Sequence, residues 1–99
     1  MQKIFISQPM NGKTNEQIKE ERNIAIQAMR DMFGEVEVLD SFFENAPHDA
    51  APLWYLGEAI KLLSHADYAY FVSGWENARG CKIEHGCAVE YGIKVIHQV

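Results

Sequence analysis

Glu84 lies in the run Asp67 to Gly92 (DYAYFVSGWENARGCKIEHGCAVEYG), where a strand pattern passes through a glycine-bearing loop into a helix pattern. A carboxylate at such a junction has a definite chemistry. In the opening turn of a helix its charge is favoured by the helix dipole by about 0.3–1 kcal/mol, which predicts an anion at neutral pH, ready to attack an electrophilic carbon or to activate water. Gly74, Gly80 and Gly86 flank it, and glycine lets a ligand come close to backbone amides. Asn77 and Arg79 add an amide and a cation, and Trp75 a flat apolar face that either stacks on a ring or covers a subunit interface. Acids are also common in first helical turns for the dipole reason alone, so the position by itself does not make Glu84 catalytic.

The elements that must position this acid can be read from apolar spacing. Tyr68 to Val72 is five apolar or aromatic residues between Asp67 and Ser73-Gly74, the pattern of a strand buried on both faces. Ile83, Cys87, Ala88 and Tyr91 follow at i, i+4, i+5 and i+8 and stop at Gly92, which predicts the helix. Upstream, Lys3 to Ser7 (KIFIS) reads as a first strand, Gln8 to Gly12 as a turn, and Thr14 with Gln17 as a capping box opening a helix to about Phe33. Ile18, Ala25, Ile26, Met29 and Phe33 supply its buried face. After Gly34, Val36 to Leu39 alternates like a strand, and Asp40 to Ala51 has loop character. Pro52 opens a second helix with Leu53, Leu56, Ile60 and Leu63 facing inward, and Ile93 to Ile96 is a last strand.

The order β-α-β-α-β-α-β with right-handed crossovers predicts one α/β domain, a three-layer α/β/α sandwich of the flavodoxin-like or Rossmann-like kind. Its four-stranded, mostly parallel sheet should run in the order 2-1-3-4. Such a sheet has its topological switch point between the first and third strands, so the loops Ser7 to Gly12 and Ser73 to Glu84 must face each other across a crevice. The binding residues this predicts are Ser7, Gln8, Pro9, Met10, Asn11 and Gly12 from one loop, and Gly74, Trp75, Asn77, Arg79 and Gly80 from the other. Gln8 and Asn11 would offer amides, Gly12 backbone donors, and Met10 an apolar wall for a flat ring.

Composition excludes several classes. Ninety-nine residues make one domain with room for one cleft, and 47% apolar with 23% charged residues are ordinary globular values. No run approaches a membrane span, and MQKIFISQPMNG, with one Lys and no small-residue cleavage site, reads as a strand rather than a signal peptide, which predicts a cytoplasmic protein. Cys81 and Cys87, six apart on one helix, are too distant for a disulfide and should be reduced. The net charge is −5 and the nine Lys and Arg are scattered, which argues against polymeric nucleic acid as a partner. His48, His65, His85 and His97 show no H-x-x-x-H spacing and there is no C-x-x-C, so no metal or other cofactor is expected. An edge strand at Ile93 to Ile96, with Trp54, Tyr55 and Trp75 outside strands, predicts a homo-oligomer, at least a dimer. Tyr55 either reaches the crevice or packs in the core or interface.

The stretches IFISQPMNG, HADYAYFV and GWENARGCKIEHGCAVEYGIKVI, in that order, resemble the nucleoside 2-deoxyribosyltransferase superfamily, and within it the short bacterial and phage branch. The resemblance covers nearly the whole chain. It implies that Glu84 is the nucleophile that attacks the anomeric carbon of a nucleoside or nucleotide, giving N-glycosidic bond cleavage or (deoxy)ribosyl transfer, as a carboxylate does in retaining glycosidases. Relatives carry an acid in the preceding helix where this chain has Ala59, with Glu58 beside it as a stand-in, and a phosphate-binding serine where this chain reads Asn77-Ala78-Arg79. Arg79 is then either a phosphate ligand or a solvated surface cation. Asp67 either caps the sheet edge or supports the acid–base step. Without the family acid, a non-catalytic module that binds or sequesters a nucleotide is the competing expectation.

Overall fold

The computed structural model describes all 99 residues. In chain order the elements are β1 (Gln2–Ser7), α1 (Asn15–Phe33), β2 (Val36–Leu39), α2 (Pro52–Leu63), β3 (Tyr68–Phe71), a single 3-10 turn (Trp75–Asn77), α3 (Arg79–Glu90) and β4 (Lys94–His97). The four strands form one sheet in the order β2-β1-β3-β4, and every pairing is parallel. This is the flavodoxin-like architecture that the alternation of strand and helix patterns requires.

Parallel strands need helical crossovers, and the crossovers place α1 on one face and α2 with α3 on the other. Alternation along β1 feeds both layers. Ile4 and Ile6 pack with Ala25, Met29, Tyr70 and Val72 on the α1 side, while Phe5 packs with Ala59, Leu63, Ala69, Phe71 and Ala88 on the other. Ser7, the next residue on the Phe5 side, takes a polar group to the carboxyl edge of the sheet beneath α3, and it is almost fully buried.

The α1 capping box is present in both directions: the Gln17 amide donates to Thr14 Oγ1, and the Thr14 amide to Gln17 Oε1. Within the apolar stripe of α1 sits Arg22, only 7% exposed. Its Nη1 donates to Gln8 Oε1 at 3.3 Å and Ser41 Oγ at 3.2 Å, and its Nη2 to the Leu39 carbonyl at 3.1 Å. One side chain thus ties α1 to the end of β2 and to the first loop of the crevice.

Two helix faces differ from the expectation. In α2, Leu53 is 77% exposed and the residues turned inward are Ala59 and Leu63. In α3, Ile83 and Tyr91 are exposed, and the buried side chains are Cys81, Glu84 and Ala88. The reason is the starting point: α3 begins at Arg79, with Ala78 as a cap that offers no side-chain hydrogen bond. A helix without a capping residue carries no sequence mark at its start, so apolar spacing alone places its buried stripe too late in the chain.

Arg22→Ala should lower stability by about 2–4 kcal/mol, because three buried acceptors lose their donor. Arg22→Lys should recover little of this, since one ammonium cannot reach the Leu39 carbonyl and Gln8 in the same geometry. Urea unfolding of the three proteins measures both.

Candidate functional site

The β1 and α3 elements meet at the switch point through one short bond. Ser7 Oγ donates to Glu84 Oε1 at 2.6 Å, across 77 residues of sequence. The two loops also touch, for Pro9 Cγ lies 3.7 Å from the position a Cβ on Gly74 would take. Gly74 has φ +92°, a left-handed conformation that favours glycine, and it turns the chain from β3 into the 3-10 segment beside Pro9. The first and third loops therefore meet at the switch point, and Glu84 is buried where β1 and α3 join beside them.

Glu84 is not in the opening turn of its helix. It is the sixth residue of α3, on the buried face, and 9% exposed. The helix dipole fades within the first turn, so burial rather than the dipole decides its ionisation. Burial pushes its carboxyl up to about 7, and the Ser7 hydroxyl, which stabilises the anion, opposes part of that rise. Near neutral pH the group divides between acid and carboxylate, the state that suits a general acid, a general base or a nucleophile.

Cys81 stands one turn earlier on the same face. Burial drives its thiol up to about 11; Ser7 beside it acts against the rise, Glu84 adds to it, and Lys13 opposes it. A thiol held protonated is a wall of the site rather than its nucleophile. Lys13 itself is tied to Glu21 at 2.8 Å.

The remaining expected residues divide into three groups. Ser7, Pro9, Met10, Asn11, Gly12 and Gly74 lie on the crevice loops, Met10 half-buried and Asn11 and Gly12 exposed. Gln8 is buried and turned inward, its Nε2 donating to the Ile18 carbonyl and its Oε1 accepting from Arg22, so its amide serves the fold rather than a ligand. Trp75 is also engaged within the chain: its indole stacks on His85 at 4.1 Å between centroids and on His97 at 5.4 Å, and lies 5.4 Å from the Phe71 ring. Asn77 and Arg79 are exposed and Gly80 is half-buried at the start of α3.

The two acids expected to support Glu84 are placed differently from it. Asp67 is a correction: its carboxylate accepts from the Lys3 amide at 2.8 Å, at the amino end of β1 and β3. Four residues of strand, roughly 13 Å, separate that edge from Ser7, so Asp67 caps the sheet and takes no part in the site. Glu58 is half-buried on α2 and paired with Lys61 at 2.8 Å. Ala59, its neighbour, packs in the apolar cluster with Phe5 and Phe71. No group of three or more His, Cys, Asp or Glu is placed to hold a metal ion.

The sequence reading missed Cys81 as part of the site, Arg22 as the strut behind its first loop, and the meeting of His85 with His97. Only Arg22 left a signal, a cation at i+4 from Ile18 and i−3 from Ala25, inside an apolar stripe. With this geometry in place, comparison with known proteins identifies the chain as a member of the family described as "Domain of unknown function (DUF4406)", which it matches over residues 2–97. No curated protein matches it.

A buried carboxyl with a raised pKa makes a signed prediction about stability. The folded state favours protonated Glu84, so this stabilising contribution is complete below about 4.5 and is lost as pH rises through about 7. Glu84→Gln keeps the shape without the charge. Its stability relative to wild type should increase across that window and reach on the order of 2–3 kcal/mol at pH 8. Denaturant unfolding of both proteins at pH 4.5 and pH 8 checks the difference.

Proposed function

We propose that this chain is a nucleoside 2-deoxyribosyltransferase-like enzyme, acting in the cytoplasm on a small nucleoside or nucleotide, with Glu84 as the nucleophile in N-glycosidic bond cleavage or (deoxy)ribosyl transfer. The observation that carries the proposal is the Glu84 carboxyl, buried at the carboxyl edge of a parallel sheet, bonded to Ser7 and poised near neutrality. Open α/β sheets take their ligands at this edge and at this switch point.

In the proposed reaction one carboxylate oxygen of Glu84 attacks the anomeric carbon. The bond to the base breaks with its electron pair leaving on the base, which takes up a proton from solvent water, and a glycosyl ester forms on Glu84. Water or a second base then attacks the same carbon and frees the carboxylate, as in a retaining glycosidase. The Ser7 hydroxyl fixes the orientation of the attacking oxygen. Burial weakens hydration of the anion and raises its basicity, and positive charge developing on the sugar ring is an electrostatic partner for it.

One observation favours a second reading, a module that binds or sequesters a nucleotide without cleaving it. Ala59 lies in an apolar cluster and Glu58 is held by Lys61, so neither supplies a free acid to protonate the departing base. Release of base separates the readings. Incubated with a panel of deoxynucleosides and deoxynucleotides, the wild-type protein should release free base or exchange it, and Glu84→Gln should bind but release none. If wild type binds and releases nothing, the binding module stands in its place. The rate should rise with pH through about 7 as the carboxylate forms, and Ser7→Ala, which removes the donor to the anion, should move that rise to higher pH.

We also propose that the protein works as a homo-oligomer. Leu53, Tyr55, Ile83, Val89 and Tyr91 are all exposed on α2, α3 and the end of α3, within one layer of the sandwich. The outer strands β2 and β4 leave unpaired edges. Sedimentation at micromolar concentration should give at least a dimer, and Leu53→Glu should weaken it; a wild-type monomer would overturn the assignment. No helix is long and apolar enough to cross a membrane.

A further inference from the structure

We propose that His85 and His97 form a binding site for a divalent transition-metal ion of the zinc, nickel and copper class. The two residues are twelve apart in sequence and are brought together by α3 and β4, with their Nε2 atoms 2.9 Å apart. The rings lie almost end to end, 5.1 Å between centroids and 22° between planes. Both are nearly parallel to the Trp75 indole, at 13° and 14°. Because the two rings are neighbours of each other, they lie on the same indole face. Phe71 meets His85 edge-on at 4.8 Å. Two imidazole nitrogens thus converge on one point, with their ring planes already set by aromatic neighbours.

The spacing fits an ion. With metal–nitrogen bonds of about 2.0–2.1 Å, two imidazoles at a tetrahedral angle place their centroids about 5.2 Å apart, close to the separation found. Small changes in the side-chain torsions of both residues bring the two lone pairs onto a shared ion. The nitrogens then open slightly. In the metal-free pair one Nε2 carries the proton that the other accepts. Binding requires both rings in the Nδ1–H form, so that proton moves from Nε2 to Nδ1 of the same ring.

The remaining coordination positions have room. A hollow of about 450 Å³ opens beside the pair, lined by Ser73, Gly74, Trp75, Glu76, His97 and Gln98. Glu76 is close enough for its charge to act on His85, and it supplies a compensating charge while water completes the coordination. The hollow shares Gly74 and Trp75 with the third loop, but the histidine pair and Glu84 face different strands. Glu84 faces Ser7 on β1, and His85, one residue further around α3, faces β4.

The test uses Trp75 as the reporter. In a Trp54→Phe background Trp75 is the single tryptophan of the chain, and Ni²⁺ or Cu²⁺ at the pair should quench its fluorescence in a saturable titration at one ion per chain. Calorimetry with Zn²⁺ should give the same stoichiometry. His85→Gln and His97→Gln should each weaken binding by about tenfold or more, and Cys87→Ser should leave it unchanged. Circular dichroism of each variant without metal confirms that the fold is kept, and the two histidine variants are read independently. Absence of saturable binding for all three ions would overturn the proposal. So would wild-type affinity in both histidine variants, which would place any ion elsewhere.

Discussion

The bond from Ser7 to Glu84 is the join on which the site depends. It links the end of the central strand to the buried face of α3, and it does so where an apolar residue would otherwise have completed the packing. A buried ionisable carboxyl is costly unless hydrogen-bonded or neutral, and this one is held between those states. One donor is enough to keep the anion accessible, and too few to make it comfortable. An acid supplied with several donors at this position would remain ionised and be a weak base. An acid with none would stay protonated throughout the neutral range.

Arg22 plays the opposite part on the other side of the sheet. Its burial holds its pKa below the ordinary arginine value, with Asp40 opposing that shift, and its partners are neutral oxygens of Gln8, Ser41 and the Leu39 carbonyl, with Asp40 at 3.8 Å. These contacts fix the chain just beyond β1, so that Pro9 reaches Gly74 and the first loop stays against the third. The Ser41 hydroxyl extends the network by donating to the Ile6 carbonyl. The loop beside Glu84 is thus braced from the α1 side by a network of hydrogen bonds that fixes its backbone.

Much of the fold was legible in the chain because its signals are local. Thr14 and Gln17 marked the start of α1, Pro52 the start of α2, and the run Tyr68 to Val72 a strand covered on both faces. Strand order followed from the crossover rule. The carboxyl edge was legible for the same reason, and with it the meeting of the Ser7 and Gly74 loops. The environment of Glu84 was not. An uncapped helix starting at Ala78-Arg79 gave no sign that its register buries the acid, and whether an acid is an anion or half-neutral depends on which side of the helix it occupies. The inward turn of Gln8 depended on Arg22, fourteen residues away. The pairing of His85 with His97 depended on the β3–β4 register. Neither long-range partner is encoded in a spacing motif.

The protonated thiol of Cys81 has a consequence for the chemical durability of the site. Oxidants and alkylating reagents react with thiolate, and a buried thiol whose pKa is driven up to about 11 offers almost none at neutral pH. Sulfur beside a buried carboxyl is ordinarily a point of weakness, since a sulfenic or sulfinic group there would add bulk and charge against Glu84. Here burial protects the sulfur, and Cys87, half-buried further along α3, is the more exposed target for such reagents. The same exclusion of water that raises the carboxyl also shields the sulfur, so the site's acid–base tuning and its resistance to oxidation share one physical origin.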